Sequence, residues 1–323
     1  CRTLINERKI YMKKLLIATI TGMIEKQDVK DLESFCDIDW IVREKIEDIE
    51  LANIAKDYDY LMLNFDIVEN LSEEFYNIVS NSKLKVISTD ITGMDWAKPR
   101  IAKQKGIYLL NTSNYCTESV AEYTITQILL YAKQFHRTFK DLNNGIMPES
   151  RKTINILNRT IGIVGLGNIG KRVAKIANGL GMRVIAYNHT PKKMENVEIV
   201  DLNTLFKESD FISLHLKTIP EKTIGLITKD LLKLCKPTCF IENQADSKLI
   251  VKEDLKYALE NNIIAGYGAT IKEDTKDIEH LDNVILAPTN AWYSDESMEN
   301  LKNIWMKNII EFENGNIINL VEE

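Results

Sequence analysis

The segment TIGIVGLGNIGKRVAKIANGLGMRVIAYN (160–188) limits what this chain can fold into more than any other stretch. TIGIVG reads as a buried strand, KRVAKIANGLG as an amphipathic helix, and RVIAYN as a second strand. Between the first strand and the helix lies Gly165-Leu-Gly167-Asn168-Ile169-Gly170. The G-x-G-x-x-G spacing alone is weak, but in this strand–helix–strand context it points to a dinucleotide pyrophosphate. Gly165 permits the tight turn, Gly167 lets the backbone approach the phosphates, and Gly170 lets helix and strand pack closely. The helix start then offers N–H groups to the anion. The bland alternative is a glycine turn that holds no ligand.

The end of the second strand bears on which dinucleotide is held. An acidic residue there would bond the ribose 2′-hydroxyl and repel a 2′-phosphate. This chain has Asn188-His189-Thr190-Pro191-Lys192-Lys193 instead. Neutral donors and two lysines accept a 2′-phosphate, so NADP is favoured over NAD. The plainer reading is that the lysines only solvate the next helix.

The rest of the chain repeats the same alternation. Strand candidates before residue 115 are LLIATI, DWIVR, YLMLNF, KVIST and GIYLLN. VKDLESFC, IELANIAKDY, SEEFYNIVSN and WAKPRIAKQK are the intervening helices. This order predicts a doubly wound α/β fold with parallel sheets. SVAEYTITQILLYAKQFHRTFKDL (119–142) reads as one long helix at an interface. TIGIVG, RVIAYN, FISLHL, CFIENQ, IAGYGA and VILAP then predict a six-stranded dinucleotide-binding sheet. A final helix begins at DES (295–297) and stops at Gly315.

Composition narrows the functional classes. With 323 residues, the chain has room for two domains. A net charge of −6 argues against a nucleic-acid surface. No apolar run approaches the roughly 20 residues that span a bilayer, so no membrane role is expected. Met12 is a plausible natural start, with residues 1–11 a leader or expression remnant. The five cysteines are scattered and odd in number, which suits a reducing cytoplasm rather than a disulfide framework. Cys235 and Cys239 lack a second ligand pair, so no metal is expected.

Several motifs in order, ISTDITGMDWAKPRIAKQKGI, NTSNYCTESVAEYT, the glycine loop, LHLKTIPEKTIGLI and NVILAPTNAWYSDES, resemble the D-isomer-specific 2-hydroxyacid dehydrogenases. The resemblance covers most of the chain. It implies a flavodoxin-like substrate domain built from both chain ends (12–115 and 295–323) and an inserted Rossmann domain (116–294). It further implies an active site in the cleft between them and a homodimer paired through the Rossmann domain.

Such enzymes use an Arg to clamp the substrate carboxylate, a His to exchange a proton, and a Glu to raise that histidine's pKa. Aligning on flanking apolar residues places Asp246 at the Arg position in FIENQADSKLIV and Thr289 at the His position in LAPTNAWYS. Thr275 falls at the Glu position, two residues beyond Glu273. Thr270 stands where an Asp usually meets the nicotinamide carboxamide. An aspartate repels a carboxylate, and an alcohol cannot exchange protons near neutrality as imidazole does. Lys248 could restore a cation if the loop is shifted, but an exposed lysine at a helix start is the commoner case. His215 fits a hydrogen-bonded residue near the cofactor loop, His136 a packed one, and His189 a contact to the cofactor ribose.

Three functions remain open. One is a divergent oxidoreductase acting on a small molecule such as an imine or amino-carbonyl compound, with Asp246 as anchor or, if its pKa is raised, proton donor. Another is a cofactor-holding pseudoenzyme that senses or scaffolds. The third is an ordinary 2-hydroxyacid dehydrogenase with a rearranged triad. The intact phosphate-binding loop and the small polar Asp246, Thr289 and Asn290 favour the first.

Overall fold

The computed structural model describes residues 12–190, 192–272 and 275–322; the expected leader, Pro191 and Glu273 lie outside these ranges. The described chain divides into two compact units, one running to Tyr115 and resuming at Met298, the other spanning Cys116–Ser297.

The first unit runs β1 (Lys13–Thr19), β2 (Cys36–Val42), α1 (Asp48–Ala55), β3 (Tyr60–Leu63), α2 (Glu73–Ser80), β4 (Val86–Thr89), α3 (Pro99–Gln104) and β5 (Tyr108–Leu110). The strands pair in parallel in the order β2-β1-β3-β4-β5, the flavodoxin-like arrangement. Every residue of β3 and β4 is buried, which is why these strands read as unbroken apolar runs and not as alternation. The helix expected at VKDLESFC shrinks to a 3-10 turn at Leu32–Ser34. Cys36 belongs instead to β2, where it pairs with Lys13 and is buried.

The second unit opens with α4 (Thr117–Ala132) and α5 (Phe135–Asn143), so the single helix expected over 119–142 is broken. Gln134 takes a left-handed conformation (φ 58°) between them. The preceding Lys133 ammonium donates to the Ile154 carbonyl (3.0 Å), and the His136 ring stacks on Tyr131, as a packed residue does. After the break α5 buries none of its residues.

The chain continues through β6 (Thr160–Val164), α6 (Asn168–Gly179), β7 (Arg183–Tyr187), β8 (Glu198–Ile199), α7 (Leu202–Glu208), β9 (Phe211–Leu214), α8 (Lys229–Leu232), β10 (Phe240–Asn243), α9 (Lys252–Glu260), β11 (Gly266–Thr270) and β12 (Val284–Ala287). All strands are parallel, in the order β12-β11-β10-β9-β6-β7-β8. The sheet thus has seven strands, not six. The addition, β8, is two exposed residues on the edge and carries no apolar pattern to announce it. Connections reverse direction across β6 and β9, the switch point where such sheets bind ligands beyond their strand ends.

One face of this sheet packs on α4. Tyr131 stacks on Phe240 with ring centroids 4.1 Å apart. Gly266 and Gly268 make room for the helix. A Cβ at Gly266 would lie 3.2 Å from Tyr131, and one at Gly268 2.8 Å from Phe240 and 3.4 Å from Gln127.

The chain closes with α10 (Asp295–Glu313). Ser294 accepts from the Ser297 N–H at the helix start, and Gly315 follows its end with φ 84°. In the first unit, the fully buried Trp305 of this helix donates to the Ser88 carbonyl (2.8 Å), and Asn308 bonds the Ser88 hydroxyl.

Candidate functional site

The glycine loop leaves the end of β6 and is fixed from several sides. Gly165 has φ 105°, and a Cβ there would lie 2.8 Å from the His215 carbonyl at the end of β9. Its N–H donates to the Tyr187 carbonyl (2.8 Å). A Cβ at Gly170 would sit 2.0 Å from the Gly165 carbonyl oxygen, so only glycine lets α6 start this close to the strand. Gly167 caps α6, and nothing lies within 4 Å of its Cβ position. That open side meets the geometry a phosphate cradle requires. Asn168 and Ile169 form the first turn beside it.

The end of β7 is tied to the same loop. Asn188 Oδ1 accepts from the Leu166 N–H (2.9 Å), while its amide donates to the Thr190 carbonyl (2.6 Å). The Lys192 ammonium donates to the Leu166 carbonyl (3.3 Å). His189, Thr190 and Lys192 are exposed. Asn188 is therefore spent on holding the loop, whereas Lys192 keeps further N–H donors for an anion.

Beyond the adjacent strands, Asp246, Thr270, Thr275 and Thr289 all follow or end β10, β11 and β12. Asp246 starts a short turn at Ser247–Leu249: its carboxylate accepts from the Lys248 N–H (3.0 Å) and the Thr218 hydroxyl (3.2 Å). Burial alone pushes its pKa upward. The Lys248 N–H, the Thr218 hydroxyl and the charges of Lys248 and Lys272 outweigh that and hold it below the ordinary carboxylate value. Of the two roles left open for Asp246, this environment suits the charged anchor rather than the proton donor. Thr275 is buried, with its hydroxyl donating to the Lys272 carbonyl (2.8 Å) and accepting from the Lys272 N–H (3.0 Å). Thr289 is exposed, and its carbonyl accepts from Trp292 (3.0 Å). No hydrogen bond joins Thr289 to Asp246 or Thr275 among the described residues.

Thr270 ends β11, and its hydroxyl donates to Gln244 Oε1 (3.1 Å). The Gln244 amide donates to Glu242 Oε1 (2.8 Å). Glu242, in the middle of β10, is completely buried on the α4 face, and loss of solvation raises its pKa to about 8. Its Oε2 has no hydrogen-bond partner among the described residues. The nearby Ser213 hydroxyl is instead 2.6 Å from His215 Nε2. Loss of solvation pulls the His215 pKa down to about 4 and keeps the ring neutral, as a hydrogen-bonded residue behind the loop should be. Among the described residues, no group of three or more His, Cys, Asp or Glu is placed to hold a metal ion. No described helix is long and apolar enough to cross a membrane.

Comparison with known proteins assigns the fold to a family. The family described as "D-isomer specific 2-hydroxyacid dehydrogenase, NAD binding domain" matches residues 125–291. The chain belongs to the D-isomer-specific 2-hydroxyacid dehydrogenases. Among its dehydrogenase relatives, glyoxylate reductase of Thermococcus litoralis is 30% identical over 92% of this chain and 94% of its own length. Hydroxypyruvate reductase of Thermotoga maritima is 34% identical over 77% of this chain and 82% of its own. A solved acyclic imino acid reductase in complex with NADPH and D-Arg is 25% identical with a TM-score of 0.83, covering 95% of this chain and 99% of that one. D-lactate dehydrogenase with NAD+ from Lactobacillus jensenii shares the fold, with a TM-score of 0.82 at 24% identity and coverage of 96% and 100%.

Against this dehydrogenase background, one residue stands out that sequence reasoning passed over. Glu242 puts a carboxyl into a strand buried on both faces. The signal was present in CFIENQ: a charged residue inside an apolar run that must be covered on both sides.

Proposed function

We propose that this chain is an NAD(P)-dependent oxidoreductase with an altered active site, which reduces an imine or amine-bearing carbonyl in preference to a simple 2-oxo acid. The observation that carries the reading is Asp246, held ionised at the position where the resemblance calls for an arginine. An anion there repels a substrate carboxylate and attracts a protonated nitrogen. The similarity to an imino acid reductase supports reduction of a C=N bond, with any carboxylate of the substrate lying away from Asp246.

The residues fit the dinucleotide. Gly165, Gly167, Asn168, Ile169 and Gly170 form the pyrophosphate cradle, with the open side of Gly167 toward the phosphates. His189, Thr190 and Lys192, with Asn188 bracing the loop, line the end of β7 and favour the 2′-phosphate of NADP. Thr270, at the position where the resemblance places the contact, would meet the nicotinamide carboxamide. When bound, the reduced dinucleotide supplies a hydride. Asp246 stabilises the iminium form of the substrate, which already carries on nitrogen the proton that a ketone oxygen would need from an acid. For an iminium substrate, gain of a hydride would give the neutral amine without a proton from Thr289 or Thr275; an amine-bearing carbonyl would in addition take its oxygen proton from its own ammonium group or from solvent.

We place the protein in the cytoplasm as a homodimer. Phe135, Phe139 and Leu142 recur along one side of α5 and are each half-exposed, a surface suited to a second copy.

The test is dinucleotide oxidation against two panels, cyclic and acyclic imines on one side and pyruvate, glyoxylate, hydroxypyruvate and 3-phosphoglycerate on the other. We expect imine turnover with NADPH, and a fall of about 10²-fold in Asp246→Asn with cofactor affinity unchanged. Turnover of roughly 1 s⁻¹ or more on a 2-oxo acid would overturn the altered site. Cofactor binding with silence on both panels would favour the sensor or scaffold instead.

A further inference from the structure

We propose that Glu242 is a positioning residue that acts through Gln244 to make the Thr270 hydroxyl a fixed hydrogen-bond acceptor for the nicotinamide carboxamide. This deepens the dinucleotide reading above and rests on it.

The three side chains form a directional chain. Glu242 Oε1 accepts from the Gln244 amide at 2.8 Å, and Gln244 Oε1 accepts from the Thr270 hydroxyl at 3.1 Å. A carboxyl oxygen facing an amide selects its NH₂ end, because that end alone donates. The amide oxygen then points toward Thr270 and takes its hydroxyl proton. What Thr270 has left is lone pairs, the group a carboxamide NH₂ requires. An isolated threonine would present donor and acceptor alike.

The arrangement holds whether or not Glu242 is ionised. Oε2 has no partner among the described residues and is the oxygen that takes the proton, so Oε1 remains an acceptor. In the sheet Glu242 pairs with Ser213 on β9 and Gly268 on β11, and the Ser213 hydroxyl and that of Thr124 on α4 offset only part of the cost of its burial. The bond from the Gln244 amide to Oε1 is what ties this buried carboxyl to the site. Glu242 reaches the cofactor only through Gln244, and so positions rather than reacts.

The experiment compares binding of NADPH with binding of 2′-phospho-ADP-ribose, which lacks the nicotinamide, to wild type, Glu242→Leu, Glu242→Gln and Gln244→Leu. Glu242→Leu should weaken NADPH about three- to tenfold and leave the truncated ligand within about twofold of wild type. Retained binding of the truncated ligand also shows that the variant is folded. Should Glu242→Leu not fold, Gln244→Leu at the strand end should show the same split. Glu242→Gln offers an amide oxygen to Gln244 and should restore most of the NADPH affinity. Thr270→Val combined with Glu242→Leu should add no further loss, as expected for residues acting as one unit. Equal weakening of both ligands would reduce Glu242 to a structural residue, and no weakening of either would remove the relay. If wild type binds neither ligand, the dinucleotide reading falls and takes the relay with it; if wild type binds both, a missing split counts against the relay alone.

Discussion

Replacing Glu242 with Gln should stabilise the dinucleotide-binding unit, relative to wild type, increasingly as the pH rises from acid to alkaline. Folding raises this carboxyl from its ordinary 4.5 to about 8, chiefly because burial removes its solvation. The folded chain then keeps a proton that the unfolded chain gives up. Stability from this group is complete below pH 4.5, declines between 4.5 and 8, and levels off above 8. At about 1.36 kcal/mol per pH unit, that window corresponds to a loss on the order of 4–5 kcal/mol. Glutamine keeps the size and the acceptor but has nothing to ionise. Any mismatch between its amide and the Thr124 or Ser213 hydroxyls shifts the variant by a constant of about 1–3 kcal/mol and leaves the slope alone. Urea unfolding followed by circular dichroism at half-unit steps from pH 5 to 9 gives the difference between the two proteins. That difference should grow by several kcal/mol in the variant's favour. A difference that stays flat across the range would mean that Glu242 does not bury a proton, and the reasoning about its environment would be refuted.

Gly170→Ala should abolish measurable dinucleotide binding, since its Cβ would lie 2.0 Å from the Gly165 carbonyl and force α6 off the loop; isothermal titration with NADPH checks this, and wild-type affinity would contradict it. Lys192→Ala should weaken NADPH about tenfold or more by removing a charge-assisted hydrogen bond, with NADH changed less than about twofold; equal effects on both would take Lys192 away from the 2′-phosphate.

Much of the fold was legible because buried parallel strands announce themselves as short apolar runs, and YLML and VIST needed nothing more. The glycine loop was legible for a different reason: each glycine answers a steric demand that another residue would violate. The break after α4 was not legible. Lys133 and Gln134 are ordinary helix residues, and the turn is fixed by contacts to Ile154 and Tyr131 that no local pattern encodes. VKDLESFC was misread because pairing with β1 outweighs helical spacing in so short a piece. At the site, positions could be read but proton affinities could not. The sequence left Asp246 open as anchor or proton donor; burial pulls toward the second, and donors from Lys248 and Thr218 outweigh it. Glu242 shows the opposite case, a carboxyl whose burial outweighs the hydrogen bonds made to it.

The bracing of the glycine loop bears on how fast and how selectively a ligand is held. Gly165 is bound to β7, Leu166 is held at its N–H by Asn188 and at its carbonyl by Lys192, and the loop backbone lies against the end of β9. A free loop would lose about 1–2 kcal/mol of backbone freedom per residue on closing around a phosphate. Here folding has already frozen those torsions, so little ordering is left for the moment of association. Capture should therefore proceed without a slow closing step at the pyrophosphate. Discrimination between one dinucleotide and another then falls to side chains outside the loop, such as the exposed Lys192 beyond β7.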